Sequence, residues 1–246
     1  NNPSSYKNTK HTEEEWKVLE PTQRNSELLN TWKNRAVSGT YEPGSTFKLI
    51  TAAVGLEEGY VQTDTNGDFN CEGSYFVAMD NDEPVAISSR RVNPDGSQTL
   101  RLALQNSCNP AFMQLGQRIG VSTLYKYFQA FGLFEPLGND ISKAYKGIFN
   151  KLEDMGPVEL ATTSFGQRFE ISPLQLITAV SAICNDGKLV EPKIVKQIEN
   201  TDTGSIEVVE TKVVRQVISK DTADKVKNMM LSVVTDGTGR NAKVAG

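Results

Sequence analysis

At 246 residues, with 38% apolar and 23% charged positions, the chain can fill a substantial core and is too apolar for wholesale disorder. A formal net charge of −4 and a pI near 5.3 give no electrostatic reason to expect nucleic acid. No stretch reaches the roughly 18 consecutive apolar residues of a membrane span, and no signal peptide opens the sequence.

Thr12 and Glu15 in "TEEEWKVLE" have capping-box spacing and predict a short helix over 12–20. In "GTYEPGSTFKLITA", residues 39–52, a Pro-Gly break precedes an apolar run. Phe47, Ile50 and Val54 then predict a helix over 45–58 that Gly59 stops. Segment 60–97 is rich in Asp, Asn, Gly and Ser and reads as a long surface excursion with short strands. Helices are predicted over 98–106, 110–119 and 122–131, the last capped by Ser122 and terminated by Gly132. Segment 135–156 reads as loop with one weak helical stretch. Ser172-Pro173 cap and start "LQLITAVSAIC", which ends before Asn185-Asp186-Gly187. "KIVKQIE" and "IEVVETKVV", split by "NTDTGS", predict a hairpin. An amphipathic helix over 220–235 starts at Lys220-Asp221 and ends at Asp236-Gly237. The expected class is α+β, mostly helical.

Ser45 and Lys48 stand three residues apart, which puts both on one helix face. A serine beside a base is the unit of an activated nucleophile. Spacing alone is weak, because Ser4 and Lys7 fit it in a polar stretch with no helix signal. The one histidine, His11, lies in the leading polar segment, so a Ser-His-Asp arrangement is not indicated. "LQNSCNPAF" holds the one Ser-x-Asn of the chain, Ser107-Cys108-Asn109. Taken singly, Asn109-Pro110 is an ordinary helix cap. Glu42 reads as a scaffold residue, and Thr46 and Phe47 as packing. Cys71, Cys108 and Cys184 are odd in number, with no C-x-x-C pair and no His partner. Free, mostly buried thiols are expected there, and neither a zinc site nor a disulfide framework is favoured.

Ser-x-x-Lys followed by Ser-x-Asn on helical elements is part of the signature of penicillin-binding proteins and serine β-lactamases. "NRAVSGTYEPGSTFKLITAAVGLEEG", "LALQNSCNPAFMQLGQRIG" and "ELATTSFGQRFEISPLQLITAVSAICNDGKLVEPKIV" resemble the class B penicillin-binding proteins, the monofunctional transpeptidases that crosslink peptidoglycan. "EEEWKVLE" and "DGTGRNAKVAG" also fit, so the resemblance spans nearly the whole chain.

The resemblance implies that 1–246 is part of a transpeptidase domain. Ser45 would attack the penultimate D-Ala carbonyl of a stem peptide, and Lys48 would take its proton. Ser107 would pass that proton to the leaving amine, and Asn109 would hold Lys48 or the substrate amide. No cofactor and no metal are implied. The implied substrate is a D-Ala-D-Ala stem peptide, with β-lactams as acylating agents. Regions outside this chain would supply an anchor at the extracytoplasmic face of the bacterial cell membrane and contacts to a membrane glycosyltransferase partner. The family's third motif, Lys-Ser/Thr-Gly, does not occur in the sequence. The chain is therefore expected to stop short of it and to lack much of the family's central antiparallel sheet. Alone, it should be inactive and should bare the apolar faces of 45–56 and 173–183. Many relatives carry "C…CW…GHG" between the first two motifs. Here Cys71 is kept but "ISSRRVNPDGSQTL" stands where the rest would fall, which leaves a paired cysteine or metal there without support. Two alternatives stand beside this reading. One is a serine β-lactamase using the Glu135-x-x-x-Asn139 spacing, although "FGLFEPLGNDI" resembles a class B loop. The other is an inert sensor or scaffold.

Overall fold

Local start signals set most of the helices of the computed structural model, which describes residues 7, 9–79, 83–89, 95–137, 140 and 146–244. Thr12 begins α1 (Glu13–Val18) with the expected reciprocal capping box to Glu15. A second box, Glu20 with Gln23, begins α2 (Pro21–Trp32), and Asn34 caps α3 (Arg35–Ser38). The sequence reading passed over α2 because it has no buried residue and so no apolar stripe to find. The helix expected over 45–58 opens as a tight 3-10 turn, Gly44–Phe47, and continues as α4 (Lys48–Glu57).

Segment 60–97 folds into two antiparallel ladders. β1 (Phe69–Cys71) pairs with β4 (Gly96–Gln98), and β2 (Ser74–Val77) pairs with β3 (Val85–Ser88). It is not wholly a surface excursion, because Phe69, Cys71 and Val77 are buried. Next come α5 (Leu100–Gln105), α6 (Asn109–Ile119) and α7 (Val121–Ala130), each within a residue or two of its prediction. Ser122 does not cap α7. Gly120, at φ +77°, holds the boundary between α6 and α7, a backbone conformation natural only for glycine. Short α8 (Pro157–Thr163) follows a loop, and α9 (Pro173–Cys184) starts with the Ser172 cap and its box partner Gln175. β5 (Lys188–Val190) pairs with β8 (Val213–Gln216). Between them β6 (Gln197–Glu199) and β7 (Ile206–Val208) form the predicted hairpin. Finally α10 (Lys220–Thr235) covers the range read from its periodicity, with Ser219 as cap. The architecture is α+β with small two-stranded antiparallel sheets.

Helix α4 is the centre of the core, packed against α6, α9 and α10. Its Ile50, Ala52, Ala53 and Val54 are fully buried, and Phe47 just before it is equally so. The expected bare faces are therefore mostly absent. Leu176, Ala179, Ala182 and Ile183 of α9 are buried, while Ile177 stands exposed. The reason is that α10 and α3 close over these helices from within the chain. Among the described residues, no helix is long and apolar enough to cross a membrane.

The cysteine expectation is corrected. Cys71 and Cys108 form a disulfide with Cα atoms 6.4 Å apart, inside the usual range. They lie 37 residues apart, and only the packing of β1 on α6 brings them together, so no local spacing could reveal the pair. Cys184 is free as expected, but it is exposed rather than buried.

Candidate active site

Ser45 sits on the 3-10 turn, and its exposed side chain is not held by the fold. What is held is the turn around it. Two positions on, Phe47 is driven into an aromatic cluster, edge-on to Phe169 at 4.7 Å and to Phe128 at 5.2 Å. The backbone N–H of Lys48 donates to the carbonyls of Ser45 and Thr46, which places Ser45 and Lys48 one turn apart. Thr46 is exposed and bonds the Pro43 carbonyl through its hydroxyl, so it serves the turn and not the core.

The segment leading into this turn is strapped to residues 166–171. Thr40 Oγ1 donates to Glu170, Tyr41 and Ile171 exchange backbone hydrogen bonds, and Gly44 N donates to Gly166 O at 2.8 Å. Glu42 accepts a 2.8 Å hydrogen bond from the backbone N–H of Arg168, in keeping with its scaffold reading. Gly44 and Gly166 meet backbone to backbone. A Cβ on Gly166 would lie 2.1 Å from the Gly44 carbonyl oxygen, and Gly166 has φ +90°. Gly166→Ala should therefore cost about 2 kcal/mol or more of stability and slow any chemistry at Ser45. Gly204→Ala shares the left-handed backbone but meets open space, so it is the control. Equal urea midpoints for the two variants would contradict the close-contact argument.

Lys48 is fully buried, and its Nζ makes three hydrogen bonds. They go to Ser107 O at 2.8 Å, Ser107 Oγ at 3.0 Å and Asn109 Oδ1 at 2.6 Å. The Phe112 ring, one turn along α6 from Asn109, lies 5.4 Å from the same nitrogen. All of these partners are neutral, and among the described residues Lys48 forms no ion pair. Burial in such surroundings disfavours the ammonium and lowers the Lys48 pKa to about 7. A lysine near neutral pH can then accept a proton, which an ordinary lysine cannot.

Ser107 reaches Lys48 through an unusual backbone. Its φ of +56° is left-handed for a non-glycine residue, and that bend turns both its carbonyl and its hydroxyl toward Nζ. Asn109 is not the helix cap that its Pro110 neighbour suggested. Cys108 caps α6 by accepting from Ala111 N, which frees the Asn109 amide for Lys48. The fold thus brings Lys48, Ser107 and Asn109 together. Ser45 shares the turn of Lys48 alone, and none of the Lys48 hydrogen bonds goes to its hydroxyl. Catalytic hydrogen bonds often tighten only with substrate present.

Other candidates lie elsewhere. His11 pairs with Glu27 at 3.7 Å in the leading segment, among none of the Lys48 partners. Glu135 is exposed and faces Arg215 at 3.4 Å, while Asn139 lies outside the described residues. Sequence reasoning missed Phe112, Gly166 and Arg168. Only the i, i+3 offset of Phe112 from Asn109 carried a signal that could have found one of them.

Comparison with known proteins identifies the family and the fold. The family described as "Penicillin binding protein transpeptidase domain" matches residues 1–246. Stage V sporulation protein D of Bacillus subtilis is 40% identical over 215 residues, covering 87% of this chain and 32% of that protein. The D,D-transpeptidase domain of a peptidoglycan glycosyltransferase from Eggerthella lenta superposes with a TM-score of 0.79 at 28% identity, covering 92% of this chain and 56% of the other. Penicillin-binding protein A of M. tuberculosis, solved as a ceftriaxone acyl-enzyme complex, gives a TM-score of 0.74 at 27% identity, with coverages of 89% and 47%. The chain thus spans about a third to a half of the length of these relatives. A family match over the full chain, a relative 40% identical over most of it and a shared fold lead to one conclusion: the chain belongs to the transpeptidase family of penicillin-binding proteins, in its class B branch.

Proposed function

We propose that this chain carries the acylation half-site of a peptidoglycan D,D-transpeptidase, with Ser45 as nucleophile and Lys48 as its base. One observation carries the reading. A buried lysine with a pKa near 7 is gripped by both residues of the Ser-x-Asn motif, one helical turn from an exposed serine. Neutral Lys48 takes the proton as Ser45 Oγ attacks the carbonyl of the penultimate D-Ala. The C–N bond to the terminal D-Ala then breaks, and the departing amine takes a proton through Ser107. An ester on Ser45 remains, to be resolved by the amine of a second stem peptide. The Ser45 N–H, in the first turn of the helix and without an intrahelical acceptor, supports the developing oxyanion.

β-Lactams acylate the same serine in this reading, as the ceftriaxone acyl-enzyme of the M. tuberculosis relative supports. The assigned setting is the extracytoplasmic face of the bacterial membrane, beside a glycosyltransferase partner. The lactamase alternative loses ground because the Glu135 carboxylate faces Arg215 and no hydrogen bond of Lys48 goes to it. A time course of intact mass after penicillin tests the proposal on the full-length protein. One adduct that persists for many minutes is expected. No adduct would mean an inert scaffold, and a rapidly lost one a lactamase.

A further inference from the structure

Two attachments in the strap between residues 40–44 and 166–171 are not supplied by backbone pairing: Thr40 Oγ1 to Glu170, and the Glu42 carboxylate to the backbone of Arg168. Glu42 is exposed, yet its carboxylate accepts from Arg168 N at 2.8 Å across 126 residues of sequence. Arg168 has φ +63°. Among the described residues, only Ser107, Arg168 and Asp186 hold a left-handed backbone without being glycine. One of those, Ser107, already belongs to the site. A strained conformation persists only where its surroundings over-determine it. At Arg168 those surroundings are the Glu42 carboxylate on the N–H and Glu159 on the guanidinium at 2.7 Å. Two residues before Arg168, Gly166 O receives the Gly44 N–H, and Gly44 is the residue next to Ser45.

We propose that Glu42 is a positioning residue for Ser45, acting through the left-handed backbone of Arg168. The proposal rests on the reading of Ser45 as the nucleophile. The carboxylate holds the Arg168 N–H, and this fixes the loop 166–168 in the one arrangement that offers Gly166 O to Gly44. That hydrogen bond sets the pitch of the 3-10 turn, and so the direction of Ser45 Oγ relative to Lys48. Without the acceptor, Arg168 relaxes toward an ordinary backbone. The turn then tilts while Phe47, anchored among its aromatic neighbours, keeps the fold closed. Glu42 touches no hydrogen-bond partner of Lys48, so it transfers no proton.

The test measures penicillin acylation of the full-length protein by stopped flow, separating the binding constant from the limiting rate, with the adduct site mapped in each variant. Glu42→Gln keeps an acceptor oxygen and should acylate close to the unsubstituted rate. Glu42→Ala should lower the limiting rate by about 10²-fold, the usual consequence of a small misplacement of a reacting group. Its binding constant and the pH midpoint of acylation should stay where they were. The decisive variant is Glu42→Ala with Arg168→Gly, because glycine adopts φ +63° without help. It should restore most of the lost rate. The proposal is overturned if Glu42→Ala acylates at full rate or if the double variant stays as slow as Glu42→Ala. It is equally overturned if Glu42→Gln is as slow as Glu42→Ala, because the charge itself would then be in use. An adduct mapped away from Ser45 in the unsubstituted protein would instead sink the nucleophile assignment beneath it.

Discussion

Replacing Ser45 with alanine is expected to remove covalent labelling by penicillin completely while leaving stability nearly untouched. The two halves of this result come from the same geometry. Ser45 is exposed, and Phe47 together with the Gly44–Gly166 contact holds its turn, so the hydroxyl contributes almost nothing to folding. An exposed substitution of this kind normally stays within about 0.5 kcal/mol. Chemistry, by contrast, loses the atom that forms the ester in the proposed mechanism. Labelling of Ser45→Ala at the normal rate would show that another residue is the nucleophile.

The second large effect concerns Lys48. Lys48→Ala removes the proposed proton acceptor and should slow acylation by about 10²–10⁴-fold, the range for a positioned general base. The pH dependence sharpens the claim. Only neutral lysine accepts a proton, and burial brings its pKa down to about 7. The acylation rate of the unsubstituted protein should therefore be flat above about pH 7 and fall tenfold per unit below it. Asn109→Asp reverses part of this. It sets a carboxylate where the amide oxygen now lies 2.6 Å from Nζ, which favours the ammonium and should move the rising limb to higher pH. A limb centred near the ordinary lysine value of about 10.4 in the unsubstituted protein would mean that Lys48 is not desolvated during the reaction.

How much of this was legible in the sequence depends on the range of each interaction. Caps are local. The Thr12–Glu15 box and the Ser172 cap were readable because each lies within one turn of the helix it starts, and the structure forms both, adding Gln175 as the box partner of Ser172. Helix α10 was readable from its period, since Val226 and Met229 are buried on one side while Lys220 and Asp224 pair on another. Helix α2 was not, because it buries nothing.

At the site, Lys48, Ser107 and Asn109 could be grouped only because two motifs occur in a known order, and the fold brings their side chains together at Nζ. The Cys71–Cys108 pair, the Gly44–Gly166 contact and the Glu42–Arg168 hydrogen bond connect residues 37 to 126 positions apart. Each depends on the packed fold for its existence, and a reading of neighbours along the chain has no access to it. The cap role that the Asn109-Pro110 pair suggests when taken singly falls to Cys108 for a similar reason. Both Cys108 and Asn109 can accept from α6, and only the buried lysine opposite decides which of them does.

Digestion of the penicillin-treated protein and mass mapping of its peptides tests the central claim most directly. The expected result is a single penicilloyl group on the peptide containing Ser45, formed with the neutral-limb pH dependence of Lys48. An adduct on any other residue, or no adduct while the protein remains folded, would contradict the account.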